Sequence, residues 1–169
     1  MPGVACSCRK AGLKLAMEQC SNNERMASTR SKFNPKRRFT SAVPSRTALK
    51  ALAGKIRYGG KPDHKRNPGD FALTPPTLPR DDKSLCDSAK IFKRAEALEL
   101  LKQGVLRGMI SEWDGTNGFP KNVWSMTDGG IPLEAQLENA GDGTYHGYPL
   151  EVNDDFRESV LAKWKQSHE

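Results

Sequence analysis

The sequence lacks long apolar runs: no stretch of 18 apolar residues occurs, and hydrophobic residues make up 36% of its 169 residues. Because a helix needs about 20 mostly apolar residues to cross a bilayer, no membrane-spanning helix is expected. The first residues also lack the apolar region of a signal peptide, which favours a cytoplasmic protein. The low apolar content predicts a core of about 80 to 90 residues with a solvated arm.

Metal and nucleotide motifs are absent as well. The cysteines lack the paired spacing of a zinc site and have no histidine beside them, which favours free thiols in a reducing compartment. They are Cys6, Cys8, Cys20 and Cys86. The sequence has no Walker loop, no GxGxxG and no HExxH, and its aspartates are scattered. We therefore expect no cofactor and no metal.

Positive charge is present in excess, and it is distributed unevenly. Residues 1–80 carry 17 Lys and Arg against four Asp and Glu, a balance of +13. Residues 81–169 carry 10 against 16, a balance of −6, which gives the net charge of +7. A basic arm attached to an acidic domain is typical of polyanion binding, or of an arm that folds back on its own domain.

Residues 1–57 are predicted to be a basic, mostly disordered arm, within which Ser45 can cap a short helix over residues 45–56. Each cation that neutralises a phosphate releases counterions, so the arm can bind nucleic acid without reading its sequence. The alternative is a solvated tail. The candidate nucleic-acid-binding residues are Lys32, Lys36, Arg37, Arg38, Arg46, Lys50, Lys55, Arg57, Lys65 and Arg66.

Residues 58–86 form a Pro- and Gly-rich segment that we expect to be extended, with Phe71, Leu73 and Leu78 pinning it across the domain. His64 lies among cations there, which indicates a solvated residue. An α+β domain is predicted over residues 87–169. Its first helix begins at Asp87 or Ser88 and ends near Gly104, and its last helix begins at Asp155.

Residues 120–150 read as a three-stranded antiparallel meander. Apolar and polar residues alternate between residues 131 and 138, which is typical of a half-buried strand. Glycine-rich turns precede and follow that strand, at residues 128–130 and 139–143. We expect both helices to pack on the apolar face of the meander, which gives a small α+β layer structure.

The register of the meander decides which side chains meet. A five-residue loop after Glu138 places Glu138 opposite Thr144, Gln136 opposite His146 and Glu134 opposite Tyr148. His146, Tyr148, Glu134 and Gln136 then share one polar, open face. For the first strand, a two-residue turn buries Trp124 on the apolar face, whereas a three-residue turn places it beside Glu134. We favour the buried tryptophan because its burial stabilises the fold strongly.

The polar face holds the candidate catalytic residues His146, Glu134 and Tyr148. A histidine beside a carboxylate can act as a general base, and a tyrosine can stack on a nucleobase or donate a hydrogen bond. Lys121 and Arg157, at the ends of the meander, are candidates for phosphate contacts. The competing interpretation makes His146 a surface residue bonded to Gln136 and makes the tyrosines packing residues.

Several strings carry a resemblance: P-K-N-V-W, P-L-E-A-Q-L-E-N, Y-H-G-Y-P-L and D-D-F-R-E-S-V-L-A-K-W, with K-R-N-P-G-D-F upstream. Together they resemble a family of small uncharacterised bacterial proteins over residues 57–166, and that family implies no particular activity. The order of helix and meander is also similar to RelE, colicin D and barnase-like ribonuclease toxins. This second resemblance implies catalytic residues on the open sheet face, where His146 is expected.

Two functions are consistent with these patterns. The first is a small soluble binding protein, with a basic arm for the phosphate backbone of nucleic acid and an acidic domain for a protein partner. The alternative is a metal-independent ribonuclease of a toxin–antitoxin type, which uses the face around His146. Neither function requires a membrane.

Overall fold

In the computed structural model, the residues described are 37–78, 84–113 and 118–167, and all of them belong to one compact unit. The fold is α+β, with three consecutive strands between the second and third α-helices. The elements are α1 (Arg46–Lys55), β1 (Arg57–Tyr58), α2 (Arg94–Leu106), β2 (Asn122–Met126), β3 (Pro132–Asn139), β4 (Thr144–Pro149) and α3 (Arg157–Gln166). Short 3₁₀ helices lie at Pro62–His64 and Cys86–Ala89.

The four strands form one mixed sheet in the order β1-β4-β3-β2. Strands β2, β3 and β4 pair antiparallel in chain order, whereas β1 pairs parallel with β4. The predicted meander is therefore one part of a mixed sheet. A bulge interrupts the β3–β4 ladder: Leu137 pairs with Tyr145 and Asn139 with Thr144, so Glu138 is an extra residue in β3. The prediction that Glu138 lies opposite Thr144 was therefore wrong.

Helices α1 and α2 pack on the apolar face of the sheet. This face presents Val123, Leu133, Ala135, Leu137 and Tyr145. Against it pack Leu49, Leu52, Ala53 and Ile56 from α1 and its C-cap, together with Leu100, Leu101 and Val105 from α2. Burial of these side chains stabilises the sheet by roughly 25 cal/mol per Å² of apolar surface removed from water.

Helix α3 lies on the opposite face of the sheet, which we call the polar face: Trp124, Glu134, Gln136, His146 and Tyr148. Val160 and Trp164 of α3 cluster with Trp124 there. The prediction that both helices pack on the apolar face was therefore wrong. Trp124 pairs directly with Glu134, which is the register that we had not favoured, and yet the tryptophan is fully buried.

Residues 37–40, which we call the strap, also cover the polar face. Phe39 forms an isolated bridge with Ser111, and the amide of Thr40 donates to the carbonyl of Ile110 at 2.9 Å. The ring centroid of Phe39 lies 4.7 Å from that of Trp124. The face that we expected to be open is thus covered by α3 and by the strap.

The described part of the predicted arm is folded. Helix α1 forms where expected, and the hydroxyl of Ser45 accepts a hydrogen bond from the amide of Ala48 at 3.3 Å. Because α1 buries Leu49 and Leu52, residues 37–57 belong to the domain and differ from the disordered arm that composition predicted. Residues 1–36 of that arm lie outside the described residues.

The segment over residues 58–86 contributes to the core as well, although only part of the predicted belt is pinned. Phe71 is buried and Leu73 packs beside it, whereas Leu78 is exposed. The predicted boundary between residues 86 and 87 does not separate two packing units, because Cys86, Ile91 and Phe71 share one hydrophobic cluster.

The helix boundaries differ from those predicted at three places. Helix α2 begins at Arg94, because residues 86–89 form a separate 3₁₀ helix. Gly104 lies inside α2, where a Cβ atom would overlap the carbonyl oxygen of Trp124, so glycine lets the helix approach β2 closely. Helix α3 begins at Arg157, and the carboxylate of Asp154 accepts from the amide of Phe156 at 2.9 Å. Within the described part of the chain, every helix falls short of the length and apolarity needed to span a membrane.

Candidate functional site

Glu134 lies at the centre of the polar face with 0% of its surface exposed. The Nε atom of Arg37, in the strap, donates to Oε2 of Glu134 at 2.7 Å. The same guanidinium donates two hydrogen bonds of 3.0 Å to the carboxylate of Asp154, which precedes α3. Arg37 therefore joins the strap to the central strand and to the start of α3.

Four further side chains donate to Glu134. Asn122, Gln136 and Tyr148 donate to Oε1 at 2.8, 3.2 and 3.2 Å, and the indole of Trp124 donates to Oε2 at 3.2 Å. Together with Arg37, they occupy about as many positions as the lone pairs of a carboxylate offer. The predicted role of Glu134 was to orient His146 or to act as an acid. Its oxygens are already occupied by these donors, and the carboxylate beside His146 belongs to Glu138.

Two pKa shifts follow from this network. Burial alone would lower the pKa of Arg37, but its hydrogen bonds to Asp154 and its attraction to Glu134 outweigh burial and raise that pKa. Burial raises the pKa of Tyr148, and the negative charge of Glu134 raises it further. The arginine is therefore held charged and the tyrosine is held neutral, as a buried ion-pair network requires.

Two histidines and a tyrosine form a second cluster at the other end of the polar face. The rings of His64 and Tyr148 are stacked with centroids 4.9 Å apart, and those of His64 and His146 with centroids 6.0 Å apart. The Nδ1 atom of His64 lies 2.8 Å from the carbonyl oxygen of Ser84. His64 is buried, so the prediction of a solvated histidine was wrong.

His146 is oriented towards Glu138 at the edge of this cluster. Its Nδ1 atom lies 3.7 Å from Oε2 of Glu138, whose side chain is 44% exposed. The bulge in β3 supplies this carboxylate, since Glu138 is the extra residue. The structure thus brings together the predicted His146 and Tyr148, but the carboxylate beside the histidine is Glu138 and not Glu134.

The candidate nucleic-acid-binding residues separate into two groups. Arg37 and Lys65 are withdrawn from solvent: the Nζ of Lys65 donates to the carbonyl of Ile91 at 2.5 Å and lies 3.9 Å from the ring centroid of Phe71. Because both cations are engaged inside the protein, neither is available to contact phosphate in this structure. Lys32 and Lys36 lie outside the described residues.

The remaining candidates are exposed: Arg38, Arg46, Lys50, Lys55, Arg57 and Arg66. Arg46, Lys50 and Lys55 lie on α1, and Arg57 lies on the edge strand β1. No acidic residue occurs between residues 41 and 62. Of the two candidates at the ends of the meander, Lys121 is exposed, whereas Arg157 donates to the carbonyl of Leu150 at 2.7 Å.

Three residues that build the polar face were not predicted from the sequence. Asp154 was counted among the scattered aspartates, Asn122 was not considered, and His64 was assigned to solvent. The signal for His64 was weak, because its neighbours in sequence are cations and its ring stacks on residues 82 and 84 positions away in the chain, His146 and Tyr148. Among residues 37–78, 84–113 and 118–167, no group of three or more His, Cys, Asp or Glu is arranged to hold a metal ion.

Comparison of the chain with protein-family models, with curated proteins and with solved structures found no match.

Proposed function

We propose that the protein binds nucleic acid through the phosphate backbone, using the exposed cations of α1 and β1. One observation supports this most: Arg46, Lys50, Lys55 and Arg57 are all exposed on regular elements whose opposite side is buried in the core. Since the helix is anchored by its apolar side, these cations are held outward with no acidic residue in the same stretch. A surface of this kind neutralises phosphates and releases counterions.

The binding surface proposed here is folded, on α1 and β1, and differs in this from the disordered basic arm expected from the sequence. A folded surface loses less conformational entropy on binding than a disordered segment, so fewer cations suffice for a given affinity. Phosphate contacts carry no sequence information, so the binding is expected to be strongly dependent on salt and weakly dependent on sequence.

Titration with a labelled oligonucleotide at several salt concentrations tests the proposal. We expect the Arg46→Ala/Lys50→Ala double variant to bind more weakly and to reduce the salt slope by about 1.5, if both cations contact phosphate. The matched control, Lys93→Ala/Lys165→Ala, removes the same charge from exposed positions on α3 and before α2. Equal losses in the two double variants would contradict a localised site.

A second candidate function is metal-independent RNA cleavage at the histidine cluster. The observation that favours it is the pairing of His64 with His146 beside Glu138, which sequence reasoning did not anticipate. One imidazole takes the proton of the 2′-hydroxyl as that oxygen attacks phosphorus, and the other gives a proton to the leaving 5′-oxygen. The products are a 2′,3′-cyclic phosphate and a free 5′-hydroxyl.

Arg57 lies near this cluster, because it pairs with Thr144, two residues before His146 in β4. Arg57 and the histidine pair can therefore contact one strand of RNA. In this candidate, Tyr148 positions the imidazole of His64 by stacking, and the buried Glu134 holds Tyr148 in place.

Cleavage of a short RNA in the presence of a metal chelator tests the second candidate. We expect His146→Asn to slow cleavage by about 100-fold or more, as loss of a general acid or base does. His168→Asn is the matched control, because it removes the remaining histidine of the sequence. Intact RNA with the wild-type protein, or cleavage of the corresponding DNA, would contradict this candidate.

A further inference from the structure

The strap, residues 37–40, makes its principal contacts with residues far away in the chain. Arg37 contacts Glu134 and Asp154 across separations of 97 and 117 residues. Phe39 packs against both Trp124 and Phe156, with ring centroids 4.7 and 5.1 Å away. These partners form a groove with a clamp for a guanidinium at one end and an aromatic pocket two residues further on.

The groove requires an occupant. Without a guanidinium, the fully buried carboxylate of Glu134 would lose its compensating positive charge. A buried charge without a partner destabilises a protein strongly, so the folded state depends on an Arg-x-aromatic segment in this position. The contacts that satisfy this requirement do not specify which molecule supplies the segment.

The strap is joined to the rest of the domain through residues 41–45. Ser41, Ala42, Val43 and Ser45 are exposed, and Pro44, before α1, is half-buried. The hydroxyl of Thr40 donates to the carbonyl of Ala42 at 2.9 Å, which closes a tight turn at the start of this connection. A short exposed hinge between a docked segment and a folded body is the arrangement from which segment exchange proceeds.

We propose that the groove on the polar face also takes the strap of a second copy of this chain, which gives a symmetric dimer by exchange of residues 37–40. Every contact of Arg37 and Phe39 in the monomer is then made between copies, so the exchange costs no side-chain contact. The balance between monomer and dimer is set by concentration and by the length of the hinge. In the dimer, the two basic surfaces of α1 and β1 are joined in one particle.

Shortening the hinge in the full-length chain tests the proposal. Deletion of Ser41 and Ala42 removes the tight turn, so the strap no longer reaches its own groove and the chain is expected to become a dimer in sedimentation velocity. Deletion of Ser41 alone is the milder second variant, for which we expect a mixture of monomer and dimer. Replacement of Arg37 by alanine in either background is expected to convert the dimer to a folded monomer, with the fold verified by circular dichroism, because loss of the dimer through unfolding does not support exchange.

Two outcomes would overturn the proposal. One is a folded monomer for the two-residue deletion at every concentration measured, because the strap would then reach its own groove without the turn. The other is a dimer that survives Arg37→Ala, because its interface would then lie elsewhere. If the longer deletion fails to fold, the single deletion decides: a monomer only counts against exchange, and a dimer sensitive to Arg37→Ala supports it.

Discussion

The two faces of the sheet are both buried, but by different means. On the apolar face, α1 and α2 contribute aliphatic side chains that pack on Val123 and Ala135. On the polar face, α3 and the strap surround a carboxylate, and Glu134 is matched there by an arginine and four neutral donors. The first face is stabilised by area removed from water, whereas the second depends on the geometry of one network.

This difference shows why alternation of polar residues is not a sufficient sign of an open face. Glu134 and Gln136 alternate with apolar residues as in a half-exposed strand, but a segment about 100 residues earlier in the chain supplies the counter-charge that allows burial. Tolerance to substitution is therefore expected to differ between the faces: a packed apolar face adapts to small changes, and a saturated polar network does not.

The largest expected effect is on the polar face. Arg37→Ala leaves Glu134 buried without its cation, and we expect the free energy of unfolding to fall by about 3–5 kcal/mol. Urea denaturation measures this change. Arg38→Ala is the matched control, because this neighbouring side chain is 71% exposed and lies 3.9 Å from Glu112; it should change stability by less than about 0.5 kcal/mol. Similar losses of unfolding free energy in the two variants would show that the network around Glu134 does not stabilise the polar face.

A smaller effect is expected where α2 meets the sheet from the apolar side. Gly104→Ala places a methyl group against the carbonyl oxygen of Trp124, and we expect a loss of about 1–3 kcal/mol in unfolding free energy. Gly54→Ala, in α1, is the control: its Cβ would meet nothing within 4 Å, so alanine should stabilise that helix by about 0.5–1 kcal/mol. Urea denaturation measures both changes in unfolding free energy. If Gly104→Ala also stabilised the protein, α2 would be able to move away from β2.

The smallest effect concerns alkaline pH. Burial raises the pKa of the Cys86 thiol from 9.0 to about 11, and burial also raises the pKa of Tyr58 and of Tyr145. The unfolded chain releases these protons at lower pH than the folded chain. The contribution of the protonated groups to the free energy of unfolding is therefore fully present below pH 9 and is lost as pH rises towards 11. For the thiol alone, the loss is about 1 kcal/mol by pH 10.

Comparison of Cys86→Ala with the wild type isolates this contribution. The variant is expected to lose stability less steeply between pH 9 and 11, although its stability at neutral pH is lower because a buried group has been removed. Free energies of unfolding, measured in urea across this range, give the two slopes. Parallel slopes would show that the thiol is not held protonated by the fold.

Much of the sheet could be predicted from sequence because its signals are local. The alternation in β3 and the turns beside it placed Glu134 opposite Tyr148 and Gln136 opposite His146, as observed. The N-cap at Ser45 was found in the same way. The predictions that failed concerned features set by distant contacts. Strand β1 was not predicted, because it joins the sheet by pairing with β4. Helix α3 was assigned to the wrong face, because its short apolar stripe does not indicate which surface it covers.

For the candidate site, the sequence identified which residues share a face but not their environment. His146 and Tyr148 do lie together, while the partner at His146 is Glu138, which one bulge brings into place. Cations were judged by their density along the chain, and density does not distinguish Lys65, under the ring of Phe71, from Lys50 in solvent. Burial of a lysine beneath an aromatic ring is a property of the tertiary fold alone.

The bulge in β3 links the length of this strand to the presence of a carboxylate beside His146. A chain with Glu138 deleted would recover one-to-one pairing along β3 and β4, and it would lose the carboxylate next to the imidazole of His146. The two properties change together, since one inserted residue is responsible for both. A related protein whose third strand is one residue shorter can thus conserve the whole ladder, with every paired residue identical, and still lack the acid beside the histidine.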